Sequence, residues 1–335
     1  LNRCNTIMPT NLPPEYFEAE RRYKAAKTAE DKIACLQALI SIVPKHKGTD
    51  KLRADLRRKL SKQRSAAQTQ KGGARQESVF RMDKEGAAQV AVTGPANTGK
   101  STLLATLTNA APEITDFPYA TWRPTPGILK YENIQIQLID TPPLYREYIE
   151  PELFDLIKRM DLVLLVVDLK ADPVHQIEDT AALLQERHIV PLRLKDRFTD
   201  KTGLEFIPFL VLANKNDDQS SDEDFGILRE LLEDDWPMLP ISTVTGRNLD
   251  RLKQLIFEKL EIIRVYSKAP GKDPDRSAPF VLKQGDTLAD FAAKVHQDFA
   301  KNLKAARVWG ESVYDGQLVQ RDHVLHDGDV VELHI

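Results

Sequence analysis

Between residues 86 and 266 the chain alternates two hydrophobic patterns. Strand-sized apolar runs, such as "LVLLVV" at 162–167, predict strands at 88–93, 128–132, 134–140, 162–168, 208–213 and 238–242. Stretches with apolar residues at helical spacing predict helices near 100–110, 146–159, 176–188, 222–233 and 248–264. This alternation implies an α/β unit built on a mainly parallel sheet with helices on both faces.

The flanks follow other patterns. Residues 15–42 are rich in helix formers, with Ile33, Leu36 and Ile40 at helical spacing, and Pro44 ends that run. Thr49 or Asp50 can cap a second helix over about 50–67, where Leu52, Leu56 and Leu60 form a thin apolar stripe. Two such helices predict a hairpin that must lean on another surface. Past a Pro/Gly-rich stretch the end of the chain predicts a strand, a helix at 287–299 and short strands closing in "GDVVELHI". The expected organisation is a disordered leader (1–14), a basic helical hairpin and linker (15–78), the α/β unit (79–267), a linker (268–278) and a small β-rich module (279–335).

Composition narrows the class. At 335 residues, 29% charged and 41% hydrophobic, the chain is long enough for two or three ordinary soluble domains. No apolar run approaches the roughly 20 residues of a membrane helix, and no secretory signal is visible. Cys4 and Cys35 are too few and too far apart for a disulfide framework or a zinc site, which points to a reducing, cytoplasmic setting. The net charge of −3 conceals a polarity: residues 1–78 carry 17 Lys and Arg against 8 Asp and Glu. The rest is therefore about −12, so the first part of the chain reads as a basic contact arm.

"VAVTGPANTGKST" at 90–102 carries the strongest chemical signal. From Gly94 to Ser101 it matches the G-x-x-x-x-G-K-[ST] phosphate loop, between a predicted strand and a predicted helix as that motif requires. Gly94 and Gly99 let the backbone aim its N–H groups at an anion. Pro95, Ala96, Asn97 and Thr98 complete the cradle, Lys100 would neutralise the β/γ-phosphates, and Ser101, followed by Thr102, would ligate Mg²⁺. "FLVLANKND" at 209–217 selects the base. Asp217 can accept from the two adjacent guanine donors, which adenine lacks, while Asn214 and Lys215 complete N-K-x-D and Lys215 can lay its stem over the ring. "ISTVTG" at 241–246 offers Ser242, Thr243 and Val244, with the Thr243 backbone N–H expected near guanine O6. Each motif has a plainer alternative, a glycine turn for the first and a solvated polar loop for the second; together they favour GTP/GDP.

With these motifs in place the sequence resembles the Obg superfamily of GTPases, in its developmentally regulated GTP-binding (DRG) branch. "IVPKHKGTDKLRADLRRKLSK" at 42–62 resembles the DRG N-terminal helical region, "FPYATWRPTPGIL" at 117–129 its switch I, and the last module a β-grasp-like TGS domain. The resemblance implies that Thr121 completes the Mg²⁺ shell in the GTP state and that Asp140, ending "IQIQLID", holds the metal through water. It also implies that Lys100, Thr121 and Asn97 are the catalytic candidates. Asn97 has two readings: a K⁺ ligand, as in potassium-activated relatives, or a residue that merely suits the turn. Arg123, Arg146 and Glu147 are weaker candidates that read as surface residues.

Departures matter. About 20 residues separate Asp140 from the next strand, too few for the domain that DRG proteins insert there. Ala120 replaces the first switch I threonine, and "PPLYREYIEPELF" replaces a glycine-rich switch II. Pro143 stands where the family has a glycine whose N–H senses the γ-phosphate, and proline has none. Leu144 stands where some GTPases orient water with glutamine. The expectation is a slow GTPase, K⁺-stimulated under the first Asn97 reading, that acts as a switch on a ribosome or structured RNA through the basic helix at 51–64 and the TGS domain. The alternative is a GTP/GDP-liganded scaffold or RNA-binding module that hydrolyses nothing useful. Neither a membrane nor a specific DNA sequence is an expected partner.

Overall fold

The computed structural model describes residues 13–26, 28–43, 49, 52–53, 55–60, 80–108, 110, 123–144, 150–199, 201–232 and 236–334. Residues 1–12 of the expected leader, residues 61–79, Thr121, Ala120, Arg146 and Glu147 lie outside these residues.

Six strands make the main sheet: β1 (Ala88–Thr93), β2 (Thr125–Tyr131), β3 (Ile134–Asp140), β4 (Leu162–Asp168), β7 (Phe209–Asn214) and β8 (Met238–Pro240). Their order is β2-β3-β1-β4-β7-β8, parallel throughout except for the β2–β3 hairpin. The central strands are apolar without a break because both faces are covered. In β4, Val163, Leu165 and Val167 enter one core with the helices Pro151–Ile157, Pro173–Glu186 and Ser220–Leu231. Leu162, Leu164 and Val166 enter the other core, under the helices Lys100–Leu107 and Leu249–Lys259. Period-2 alternation thus divides one run between two layers.

The sequence left one connection unread. Between β4 and β7 the chain forms β5 (Ile189–Pro191), a 3₁₀ turn (Leu192–Phe198) and β6 (Glu205–Ile207), with β5 and β6 paired in parallel. The helix expected over 248–264 stops at Lys259, and residues 262–267 form strand β9 (Ile262–Ser267) instead. "IFEKLEIIRVYS" is apolar at both periods, and pairing decides. β9 joins β10 (Phe280–Lys283), β11 (Ala305–Trp309), β12 (Gln317–Val319) and β13 (Val330–His334) in a second sheet, ordered β10-β9-β13-β11-β12. Its core centres on Phe291 and Ala292 of the helix Leu288–Val295, beneath Val265, Val308 and Val331. The single helix expected at 287–299 is broken at His296, and a short helix, Gln297–Asn302, follows.

The N-terminal part also divides more finely than expected. Two helices, Pro14–Ala25 and Ala29–Ile42, replace one over 15–42, because the Thr28 hydroxyl accepts the Asp31 N–H at 3.0 Å and caps a new start. Leu36, Ile40, Leu56 and Leu60 of the predicted stripes are buried together with Leu39, and Ile33 and Leu52 pack half-buried against them. Arg53 departs from the picture of a wholly solvated basic face: it is buried, and its guanidinium donates to the Val43 carbonyl at 2.6 Å, closing the end of the second helix. Arg57, Arg58 and Lys59 are exposed.

Candidate nucleotide site

The site lies at the carboxyl ends of β1, β3, β4 and β7, where the strand order diverges on either side of β1. Two glycines are demanded by space as well as by conformation. Gly94 has φ 138°, and a Cβ on it would strike the Val166 carbonyl of β4. Gly99 has φ 93° and opens the helix Lys100–Leu107; a Cβ there would strike Asn214 Nδ2. Gly99 offers no side chain to cap the first-turn N–H groups, so the positive end of that helix faces the loop.

Two opposite charges are held inside this cradle. Lys100 is buried and its Nζ donates to the Pro95 carbonyl at 2.5 Å. Burial pushes its pKa down to about 8, with the attraction of Asp140 resisting. Asp140 has no exposed surface, and burial pushes it up to about 6 against the Ser101 hydrogen bond and the charge of Lys100. Desolvation outweighs mutual attraction at both groups. Ser101 Oγ donates to Asp140 Oδ2 at 2.5 Å, while Asp140 Oδ1 is buried with no hydrogen-bond partner among the described residues. A hydroxyl beside an orphaned carboxylate oxygen is the hard-oxygen donor set that suits Mg²⁺.

The base side is tied to the phosphate side by one residue. Asn214, buried, donates from Nδ2 to the Thr98 carbonyl at 2.8 Å and accepts the Thr243 N–H on Oδ1 at 3.2 Å. The Thr243 N–H expected at guanine O6 is therefore engaged within the protein. Asp217 Oδ1 accepts from Ser242 Oγ at 2.6 Å, and Val244 is 81% exposed beside them. Lys215 turns through φ 69° and reaches Asp168 Oδ2 at 2.5 Å. Sequence reasoning missed Asp168, Lys170, and the Arg247–Asn216–Asp222 network that braces the loop from behind. Asp168 had a visible signal: it ends the run "LVLLVVD" as Asp140 ends "IQIQLID".

The start of switch II offers little to a phosphate. The Thr141 N–H donates to the Val92 carbonyl at 3.0 Å, Pro142 and Pro143 have no N–H, and the Leu144 N–H makes a long 3.4 Å contact with the Gly94 carbonyl. Leu144 itself is buried. Asn97 has φ 60°, a left-handed turn that asparagine tolerates. Arg123 is exposed, 3.7 Å from Asp31 of the N-terminal helices.

The comparisons with known proteins agree with this geometry. The model of the 50S ribosome-binding GTPase family matches residues 89–195, and that of the TGS domain matches 263–335. An uncharacterised GTP-binding protein of Methanocaldococcus jannaschii is 31% identical, over 91% of this chain and 92% of its own length. Developmentally-regulated GTP-binding protein 1 of Xenopus laevis is 27% identical over 90% and 98%. The archaeal alignment runs over 363 positions, more than this chain's 335 residues, so that relative carries stretches absent here. Among solved structures, the YchF GTPase of Schizosaccharomyces pombe superposes with a TM-score of 0.51 at 11% identity, over 75% of this chain and 99% of that one, which shows a shared fold.

Proposed function

Because the chain belongs to the DRG branch of the Obg GTPases and carries a TGS domain, we propose that it is a slow GTP hydrolase whose second switch is stiff. GTP binding and GTPase chemistry come with the family; the pace and the purpose are our reading. The observation that carries it is the run Thr141–Leu144, where no N–H is left over for a γ-phosphate. The nucleotide site then consists of residues 94–102, Asp140, Asn214, Lys215, Asp217 and the loop 242–244. Mg²⁺ would be held by Ser101, Thr121 and, through water, Asp140, and would supply charge neutralisation on the phosphates. Lys100 holds the β/γ-phosphates, and γ-phosphate sensing falls to Thr121 rather than to switch II. Asn97 is proposed as a ligand for K⁺, which would act where an arginine finger acts elsewhere.

The units in this proposal are the basic hairpin of 15–78, the GTP-binding unit from residue 79 and the TGS domain. The exposed Arg57, Arg58 and Lys59 support contact with an RNA backbone, most simply on the ribosome, with the nucleotide state controlling docking. Among the described residues no helix is long and apolar enough to cross a membrane.

Single-turnover hydrolysis by the purified protein is the test. Slow but measurable turnover, faster in K⁺ than in Na⁺, is expected; equal rates in the two salts would remove the cation, and no turnover would favour a nucleotide-liganded scaffold, the reading that Pro143 and Leu144 also support. GTP and GDP affinities should lie closer together than in relatives that keep the glycine. Co-sedimentation with ribosomes under GDP, GTP and a non-hydrolysable analogue tests the partner.

A further inference from the structure

β4 and β7 run side by side to the end, with Asp168 in register with Asn214, and the Leu169 N–H extends the pairing by donating to the Asn214 carbonyl at 3.0 Å. The two strands therefore shed parallel loops, 168–170 and 215–217, at the same height. Charges cross between them. Asp168 Oδ2 meets Lys215 Nζ at 2.5 Å, and Lys170 Nζ lies 3.7 Å from Asp217 Oδ2. The Asp168 carboxylate is fixed on its other side, since Oδ1 accepts the Lys170 N–H at 3.0 Å. Its own backbone N–H donates to Gln176 Oε1 at 2.9 Å. The Asp168 side chain is 13% exposed, whereas that of Lys215 is 38% exposed.

An ion pair at such a surface adds little to the stability of a fold. Its effect on a binding site is different. A lysine stem that must lie along a base loses rotamer freedom when the ligand arrives, and a partner that orders it beforehand lowers that cost. We infer that Asp168 is a positioning residue for guanine-nucleotide recognition: it fixes Lys215 against the face of the base and acts through Lys215. This rests on the assignment of Asn214–Asp217 as the guanine loop and adds to it a residue outside the motif. Because Lys215 touches the face of the ring and Asp217 its edge, Asp168 should set affinity for the purine without affecting which purine is chosen.

Calorimetric titration of the full chain with magnesium and either GDP or IDP, which lacks the 2-amino group, separates the two contributions. Asp168→Ala is expected to weaken both ligands about tenfold and leave their ratio unchanged. Lys215→Ala should do the same, and the double variant should bind no more weakly than Lys215→Ala alone. A bystander salt bridge would give GDP affinity within twofold of wild type. A structural role independent of Lys215 would give losses that add in the double variant, and an effect routed through Asp217 would change the GDP:IDP ratio. Each of these results overturns the inference. Should Asp168→Ala not fold, the isosteric Asp168→Asn carries the same comparisons. Failure of the wild-type chain to bind GDP would instead overturn the guanine-loop assignment itself.

Discussion

Asp140 is a carboxylate without exposed surface, held on one oxygen by Ser101 and on the other by nothing among the described residues. Asp140→Asn tests what that arrangement is for. Burial raises the folded pKa from 3.8 to about 6. At about 1.4 kcal/mol per unit, the charged form costs the empty protein about 3 kcal/mol relative to the unfolded chain. The sign follows from proton binding. Between about pH 4 and 6 the folded state holds the proton more tightly than the unfolded state, so this group makes stability fall as pH rises through that window, and the cost is fully present above about 6. Asparagine removes the cost but also removes an attraction that helps keep Lys100 protonated at a pKa of about 8. The net expectation is a gain of about 1–2 kcal/mol at pH 8, shrinking toward zero near pH 4. Urea unfolding of both proteins, free of nucleotide and with EDTA present, measures the difference at each pH. With saturating Mg²⁺ and GDP the order should reverse if the cation is held through this carboxylate as proposed, since ligand binding stabilises only the form that can hold it. A variant equal to or weaker than wild type at pH 8 in EDTA, or a difference that does not move with pH, would refute the reasoning.

Other perturbations bear on neighbouring parts. Asn214→Ala leaves the buried Thr98 carbonyl and the Thr243 N–H without their partner, which should cost about 2–4 kcal/mol in urea unfolding and weaken GDP in titration. Arg264, whose pKa is raised by its Asp327 hydrogen bonds, also pairs with Glu132 of the β2–β3 turn and covers the Phe257 ring. Arg264→Met should cost about 1–3 kcal/mol and separate the calorimetric melting of the second sheet from that of the first, while a single unchanged transition would count against a clamp there. Replacing Arg57, Arg58 and Lys59 by Ala should reduce the salt dependence of RNA binding by roughly one unit of slope for each phosphate that is no longer neutralised.

What could be read along the chain was local. The two glycines of the phosphate loop, the strand that ends in Asp140 and the N-K-x-D loop are fixed by spacing, by φ and by side-chain chemistry within about ten residues. Most strands and helices of 86–266 are legible in the same way, because burial on both faces writes continuous apolar runs, but the three-residue strands β5 and β6 are too short to show a period. Local signals fail where two periods coincide, as at 262–267, and where a cap such as Thr28 sits inside a good helical stretch. No pattern along the sequence could show that Asp168 meets Lys215, 47 residues on, or that Arg264 reaches Glu132, 132 residues back. Nor could it show that Arg53 serves a helix end rather than a partner. The sequence by itself determined the class of ligand and the family, and its motifs named the candidate residues of the site. Tertiary structure decided which charges are braced and which are buried at a cost, because burial and pairing depend on distances that exist only once the sheets have formed.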